Sequence, residues 1–209
     1  MPRYSLPVVA FTVCVGWAVP GHADGALEPG MPSRLYVRTT LGLGVLVSKT
    51  GSESTGVASA DQDQPSFAAD VLIGAELEGR AAWGGALLFE SGVPQHTGNS
   101  NEAPPGRRPH MALLGLFWDA YPFAWRGGHL GGAAGLSWAS FAATGAGLNR
   151  LESFGPGAAV WFGEDLSLSS HWTIGPLIRL MAERGVDTEG SPIRPWAQSL
   201  TLSLSAVYR

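Results

Sequence analysis

Thiol chemistry is almost missing from this chain. Its single cysteine, Cys14, lies in an apolar N-terminal run and follows Val13, where a lipoprotein cleavage site would need a small residue. A chain that loses that run has no disulfide and no thiol nucleophile. Charge is also scarce. Asp, Glu, Lys and Arg make up 14% of the residues, against about 25% in an ordinary soluble domain. The formal net charge of −4 excludes nucleic-acid binding by electrostatics. No apolar run reaches the ~20 residues of a spanning helix. The chain also has no phosphate loop, nucleotide fingerprint or basic stripe.

What is abundant is glycine, at 29 residues, and tryptophan, at eight. Tryptophan gathers at membrane interfaces, where its ring is buried and its N–H stays wet. The N-terminus reads as a signal peptide over residues 1–23. Arg3 precedes a mostly apolar stretch from Leu6 to Val19, and Gly21-His22-Ala23 supplies small residues for cleavage near Ala23. The stretch is too short to span a bilayer. Export is expected, with residues 24–209 forming one domain of net charge −5 once Arg3 is removed.

The last segment carries the clearest pattern. From Pro195 to Arg209, Trp196, Gln198, Leu200, Leu202, Leu204, Ala206 and Tyr208 alternate with Ala197, Ser199, Thr201, Ser203, Ser205 and Val207. Such alternation means a strand with one apolar and one polar face. Twelve residues rise roughly 40 Å and, tilted by about 45°, cover roughly 28 Å along a barrel axis. That matches the ~25 Å apolar band of an outer-membrane barrel with aromatic girdles at its rims.

Seven earlier segments repeat the theme: Arg34–Ser48, Phe67–Glu78, Ala81–Glu90, Met111–Trp118, His129–Phe141, Phe154–Phe162 and a segment from Trp172 to Met181. Gly155-Pro156-Gly157 interrupts the sixth, and Pro176 in the seventh implies a bulge or local break. The first, third and seventh connections are long and polar, the fifth moderately so, and the even-numbered ones are shorter. Eight strands with alternating long and short links predict an all-β fold, an eight-stranded antiparallel up-and-down transmembrane β-barrel.

Alternation alone leaves open which face meets lipid, since a soluble lipocalin-like periplasmic barrel puts its apolar face inward around a ligand. The polar faces combine many glycines with few charges of both signs: Arg38, Asp70, Glu76, Glu78, Glu90 and Arg179. Small residues with sparse opposite charges suit a narrow filled lumen. Arg38 is expected to pair with Glu76 or Glu78, and Arg179 with Glu90 or Asp70, because buried charges need partners. Trp83, Trp138, Trp172, Trp196 and Tyr208 are expected at the membrane interfaces.

On these residues the chain resembles the small eight-stranded outer-membrane proteins, the class of the OmpA transmembrane domain and the OmpX-like surface proteins. The resemblance is architectural and spans residues 24–209. It implies outer-membrane lipid, export and barrel-assembly machinery as partners. In that class the last strand usually ends in an aromatic residue; here Tyr208 is followed by Arg209. Gly127-Gly128-His129-Leu130-Gly131-Gly132 looks like a strand opening found in some bacterial barrels, without known chemistry.

No catalytic, cofactor or metal residues emerge. His129 and Ser137 share a strand face but lie roughly 26 Å apart, and no histidine or acidic spacing suggests a metal site. Eight strands enclose an interior that side chains fill, which argues against a general porin. Three functions remain: a non-enzymatic barrel acting through its outer loops, a lipid-modifying barrel enzyme, and a soluble barrel holding an apolar ligand.

Overall fold

In a computed structural model of the chain, the described residues are 34–50, 60–77, 80–93, 109–122, 127–141, 151–187 and 195–209. The expected signal peptide and Glu78 lie outside them. The strands are β1 (Arg34–Thr50), β2 (Ala60–Leu77), β3 (Ala81–Gly92), β4 (His110–Ala120), β5 (Gly128–Phe141), β6 (Leu151–Glu164), the two-residue β7 (Leu166–Ser167), β8 (Trp172–Arg184), the two-residue β9 (Val186–Asp187) and β10 (Trp196–Tyr208). The eight long strands pair antiparallel with their sequence neighbours, and β10 returns to β1. The sheet is closed.

The ladder register fixes its shape. Leu35 pairs with Ala75, and the path continues through Trp83, Trp118, Gly132, Val160, Leu180 and Leu200 to Val45. One circuit therefore returns to β1 ten residues farther along. With eight strands, such a stagger corresponds to a tilt of about 40°.

The apolar face is outside. Leu43, Leu116 and Leu202 are 70%, 72% and 63% exposed, whereas Arg38, Glu90 and Arg179 are buried. This excludes the lipocalin-like arrangement, which needs the reverse. Among the described residues no helix is long and apolar enough to cross a membrane; the strands form the apolar belt.

Several strands run past the segments that alternation defines. β2 begins at Ala60, where the sequence reads as loop to Ser66; Ala60–Pro65 pair with Val45–Thr50 of β1. This part of the hairpin extends beyond the start of the β2–β3 ladder at Ser66↔Gly92. Backbone pairing continues there without an apolar face, so periodicity gives no signal. β6 runs unbroken against β5 through Gly155-Pro156-Gly157. Its other edge is interrupted. Pairing with β8 spans Gly157↔Glu183 to Gly163↔Leu177 and stops opposite Pro156 and Pro176. It resumes in the same register at Phe154↔Val186 and Leu166↔Ile174. The break expected at Pro176 is thus a local gap on one edge, because proline has no N–H to give a ladder.

A test of the outward belt follows from Leu116. Leu116→Arg places a charge mid-belt and should destabilise the folded barrel in lipid vesicles by about 2–4 kcal/mol, whereas Gln198→Arg, near the rim, should cost about 0–1 kcal/mol. Urea unfolding in vesicles measures both.

Candidate functional site

Inward-facing positions near the short-turn end bring Arg38, Asp119, His129 and Asp165 together. Arg38 sits on β1, Asp119 near the end of β4, His129 near the start of β5, and Asp165 just after β6. All four side chains are fully buried. Arg38 Nη1 lies 3.0 Å from Asp119 Oδ2, and its Nη2 lies 3.2 Å from Asp165 Oδ2. His129 Nδ1 lies 3.0 Å from both Asp119 Oδ1 and Arg38 Nη1. A protonated Nδ1 donates to Asp119, whereas a bare Nδ1 accepts from Arg38. The Tyr36 hydroxyl donates to Asp119 at 2.7 Å, and Trp161 Nε1 donates to the same carboxylate at 3.3 Å. The Tyr121 hydroxyl donates to Asp165 at 2.8 Å. Burial pushes that hydroxyl above the usual tyrosine range and keeps it a donor.

Glycines make this cluster fit. A Cβ on Gly131 would lie 2.5 Å from Trp161 Cε2, and one on Gly163 would lie 3.0 Å from His129 Cε1. Gly127 has φ of 74°, the left-handed region that glycine enters without steric cost. Its carbonyl accepts from the Asp165 N–H at 2.9 Å. The Gly127–Gly132 motif therefore has a physical reading. Gly127 turns the chain and anchors Asp165, His129 enters the cluster, and Gly131 leaves room for the Trp161 ring.

A second cluster lies farther toward the long-loop end. Arg179 on β8 forms ion pairs with Asp70 on β2 and Glu90 on β3. Thr40 donates to Asp70 at 2.6 Å, and Ser66 and Thr201 donate to Glu90, Thr201 at 3.1 Å. One inward position from these charges stand Leu72, beside Asp70, and Leu177, beside Arg179; Phe117 holds the same place beside Asp119. With Trp161, Leu88, Leu113, Met111 and Met181 they form a buried apolar cluster. Side chains fill the lumen.

The expected pairing of Arg179 with Glu90 or Asp70 is present, with both at once. That of Arg38 with Glu76 is not. The β1–β2 register sets Glu76 opposite Arg34 and Leu72 opposite Arg38. Arg38 instead reaches across the lumen to β4 and β5. Glu76 lies 3.6 Å from Arg209, whose guanidinium stacks 4.7 Å over the Tyr121 ring. Of the expected interface aromatics, Trp83 and Trp172 face outward at the turn end, where Trp172 meets Tyr208 edge-on at 5.3 Å. Trp138 and Trp196 occupy outward positions at the opposite end. Trp118, opposite Trp83, joins the turn-end girdle.

Sequence reasoning misses Asp119 and Asp165 because both fall in the connections between alternating segments. β4 extends to Ala120, so Asp119 shares the inward parity of Phe117. An acid and a histidine at inward parity on either side of a short turn was the available signal.

The His129–Asp119 contact resembles a base and its orienter, but the other ring nitrogen, Nε2, has Asp165 Oδ1 at 3.7 Å rather than a nucleophile. Among the described residues no group of three or more His, Cys, Asp or Glu side chains is placed to hold a metal ion. The arrangement can hold fixed charge and tie strands together across the lumen.

No family model and no curated protein matches this chain. Among solved structures it is similar to Neisserial surface protein A, with TM-score 0.54 and 14% identity, over 85% of this chain and 99% of that one. It is also similar to Ail, the attachment invasion locus protein of Yersinia pestis, in complex with the heparin analogue sucrose octasulfate, with TM-score 0.43 and 8% identity, over 82% and 99%. The outer membrane protein AlkL in lipid bilayers gives TM-score 0.41 and 18% identity, over 90% and 95%. At 14% identity the first likeness is one of fold. The chain has the closed eight-stranded antiparallel fold of small outer-membrane β-barrels.

Arg179→Met should lower the stability of the folded barrel by about 3–5 kcal/mol, since it leaves Asp70 and Glu90 buried without a cation. Adding Asp70→Asn and Glu90→Gln should recover most of the loss in urea unfolding.

Proposed function

We propose that this chain is a non-enzymatic integral protein of the outer membrane with a structural or surface-recognition role. Its longer connections, at one end of the barrel, carry that role. The observation that carries this reading is the combination of an apolar outer belt with a lumen filled by ion pairs and large side chains. A filled lumen supports neither a general porin nor an interior ligand cavity. The buried state of His129 argues against lipid-modifying catalysis, because a general base must come within hydrogen-bond reach of its substrate. A rigid wall leaves the connections as the place for recognition. Outer-membrane lipid is the solvent of the belt, and the export and barrel-assembly machineries are the expected partners on the way there.

Two measurements test the reading. The protein should fractionate with the outer membrane and migrate differently on gels before and after boiling, as closed barrels do. In planar bilayers it should give no porin-sized conductance steps. A protein that stays in the aqueous fraction without a band shift would overturn the membrane reading. Large, stable conductance would overturn the filled-lumen reading. Activity on envelope lipid that disappears in His129→Gln, with the band shift retained, would make it an enzyme.

A further inference from the structure

Buried negative charge exceeds buried positive charge in the lumen. Asp70, Glu76, Glu90, Asp119, Asp165 and Glu183 are all buried and inward-facing. Arg179 serves Asp70 and Glu90, Arg38 serves Asp119 and Asp165, and Arg209 reaches Glu76. Glu183 stands apart: it has no ion pair with any described cation. Ser153 donates to its Oε1 at 3.0 Å, and the nearby Ser137 hydroxyl donates to the Gly155 carbonyl at 3.0 Å, which leaves its lone pairs free. Oε2 is buried with no hydrogen-bond partner, as is Ser199 Oγ on β10. Ser199 sits diagonally across the β8–β10 ladder, where Glu183 pairs with Ala197 and Met181 with Ser199.

The backbone beside Glu183 is also unusual. It borders the gap in the β6–β8 ladder opposite Pro156, so Arg184 makes no ladder pair with β6. Its carbonyl oxygen lies against Gly155. Ser137 and Ser153 fit beside Glu183 only because their neighbours lack side chains. A Cβ on Gly157 would lie 2.7 Å from Ser137 Cβ, and one on Gly185 would lie 2.7 Å from Ser153 Cβ. Small residues and serines on β5, β6 and β10 thus occupy the neighbourhood of this one carboxylate.

We propose that Glu183, with the Ser153 and Ser137 hydroxyls, binds one small monovalent cation of the sodium class. A buried carboxylate with no positive partner requires compensation, and the excess negative charge of the lumen draws cations toward it. The donor set is all oxygen, which suits hard cations, and its single carboxylate matches a single positive charge. The cation bridges β6 and β8 where their ladder is open, and so stabilises the folded barrel.

The test uses the refolded full chain in detergent. Its melting temperature is compared in sodium, potassium and choline chloride at equal ionic strength. Sodium should raise it above choline by roughly 2–4 °C, with potassium giving less. Glu183→Gln should abolish the difference between salts, and Ser153→Ala should reduce it. Equal melting in all three salts would overturn the proposal, as would an unchanged sodium response in Glu183→Gln. Infrared spectroscopy is the second readout. A protonated carboxyl band present in sodium at neutral pH and lost in Glu183→Gln would assign the site to a proton and also overturn the proposal.

Discussion

Lipid offers no hydrogen bonds, so the wall of this protein must satisfy its backbone within itself, and closure of β10 onto β1 is the constraint on which the rest depends. Closure with eight strands and a ten-residue stagger fixes tilt and radius together. The radius leaves space for inward side chains and little more. Each large inward residue therefore needs a small one beside it. Trp161 fits against Gly131, and His129 fits against Gly163. The abundance of glycine follows from this packing more than from turns, since Gly127 is the positive-φ glycine among the described residues.

The same narrowness explains the choice of charges. A buried charge without a partner costs several kcal/mol, so each inward cation must meet its acids directly. Arginine does this with a planar fork that can engage two carboxylates at once. Arg179 spans Asp70 and Glu90, and Arg38 spans Asp119 and Asp165. The chain holds a single lysine, Lys49, near the end of β1. Each arginine links strands distant in sequence. The clusters therefore act as cross-braces inside a wall whose ladders join only neighbours.

Fold and facing were legible in the sequence because a strand with lipid on one side and packed side chains on the other alternates strictly. Leu41, Leu43 and Val45 against Gly42 and Gly44 leave no doubt about period, and the rarity of charge indicates which face is inside. Alternation fails where the environment is no longer two-sided. Ala60–Gln64 continue β2 in a part of the hairpin that needs no apolar face, so composition reads as loop. The lumen clusters were legible only in part. Arg179 finds its partners on strands whose inward positions were already assigned. Arg38 does not, because pairing across the lumen depends on the stagger of the whole circuit, and no local pattern encodes the stagger. Glu76 is on the strand next to that of Arg38 but four positions from it in register.

Not all of the wall is equally held. β6 pairs with β5 over fourteen residues and β8 with β10 over thirteen, but β6 pairs directly with β8 over only seven. Pro156 and Pro176 bound that short ladder, and the register is the same on both sides of each gap. The gaps are therefore missing bonds rather than bulges, and they leave the circuit geometry intact. With the two flanking short ladders this seam holds eleven pairs, but in three pieces, and local opening begins where the ladder is interrupted. Polar chemistry gathers at both gaps. Asp165, with Arg38 and His129, lies beside the lower one, and Glu183, with Ser137 and Ser153, beside the upper. Side-chain contacts gather where backbone bonds are lost, so the placement of charge inside and of proline in the wall are two parts of one solution.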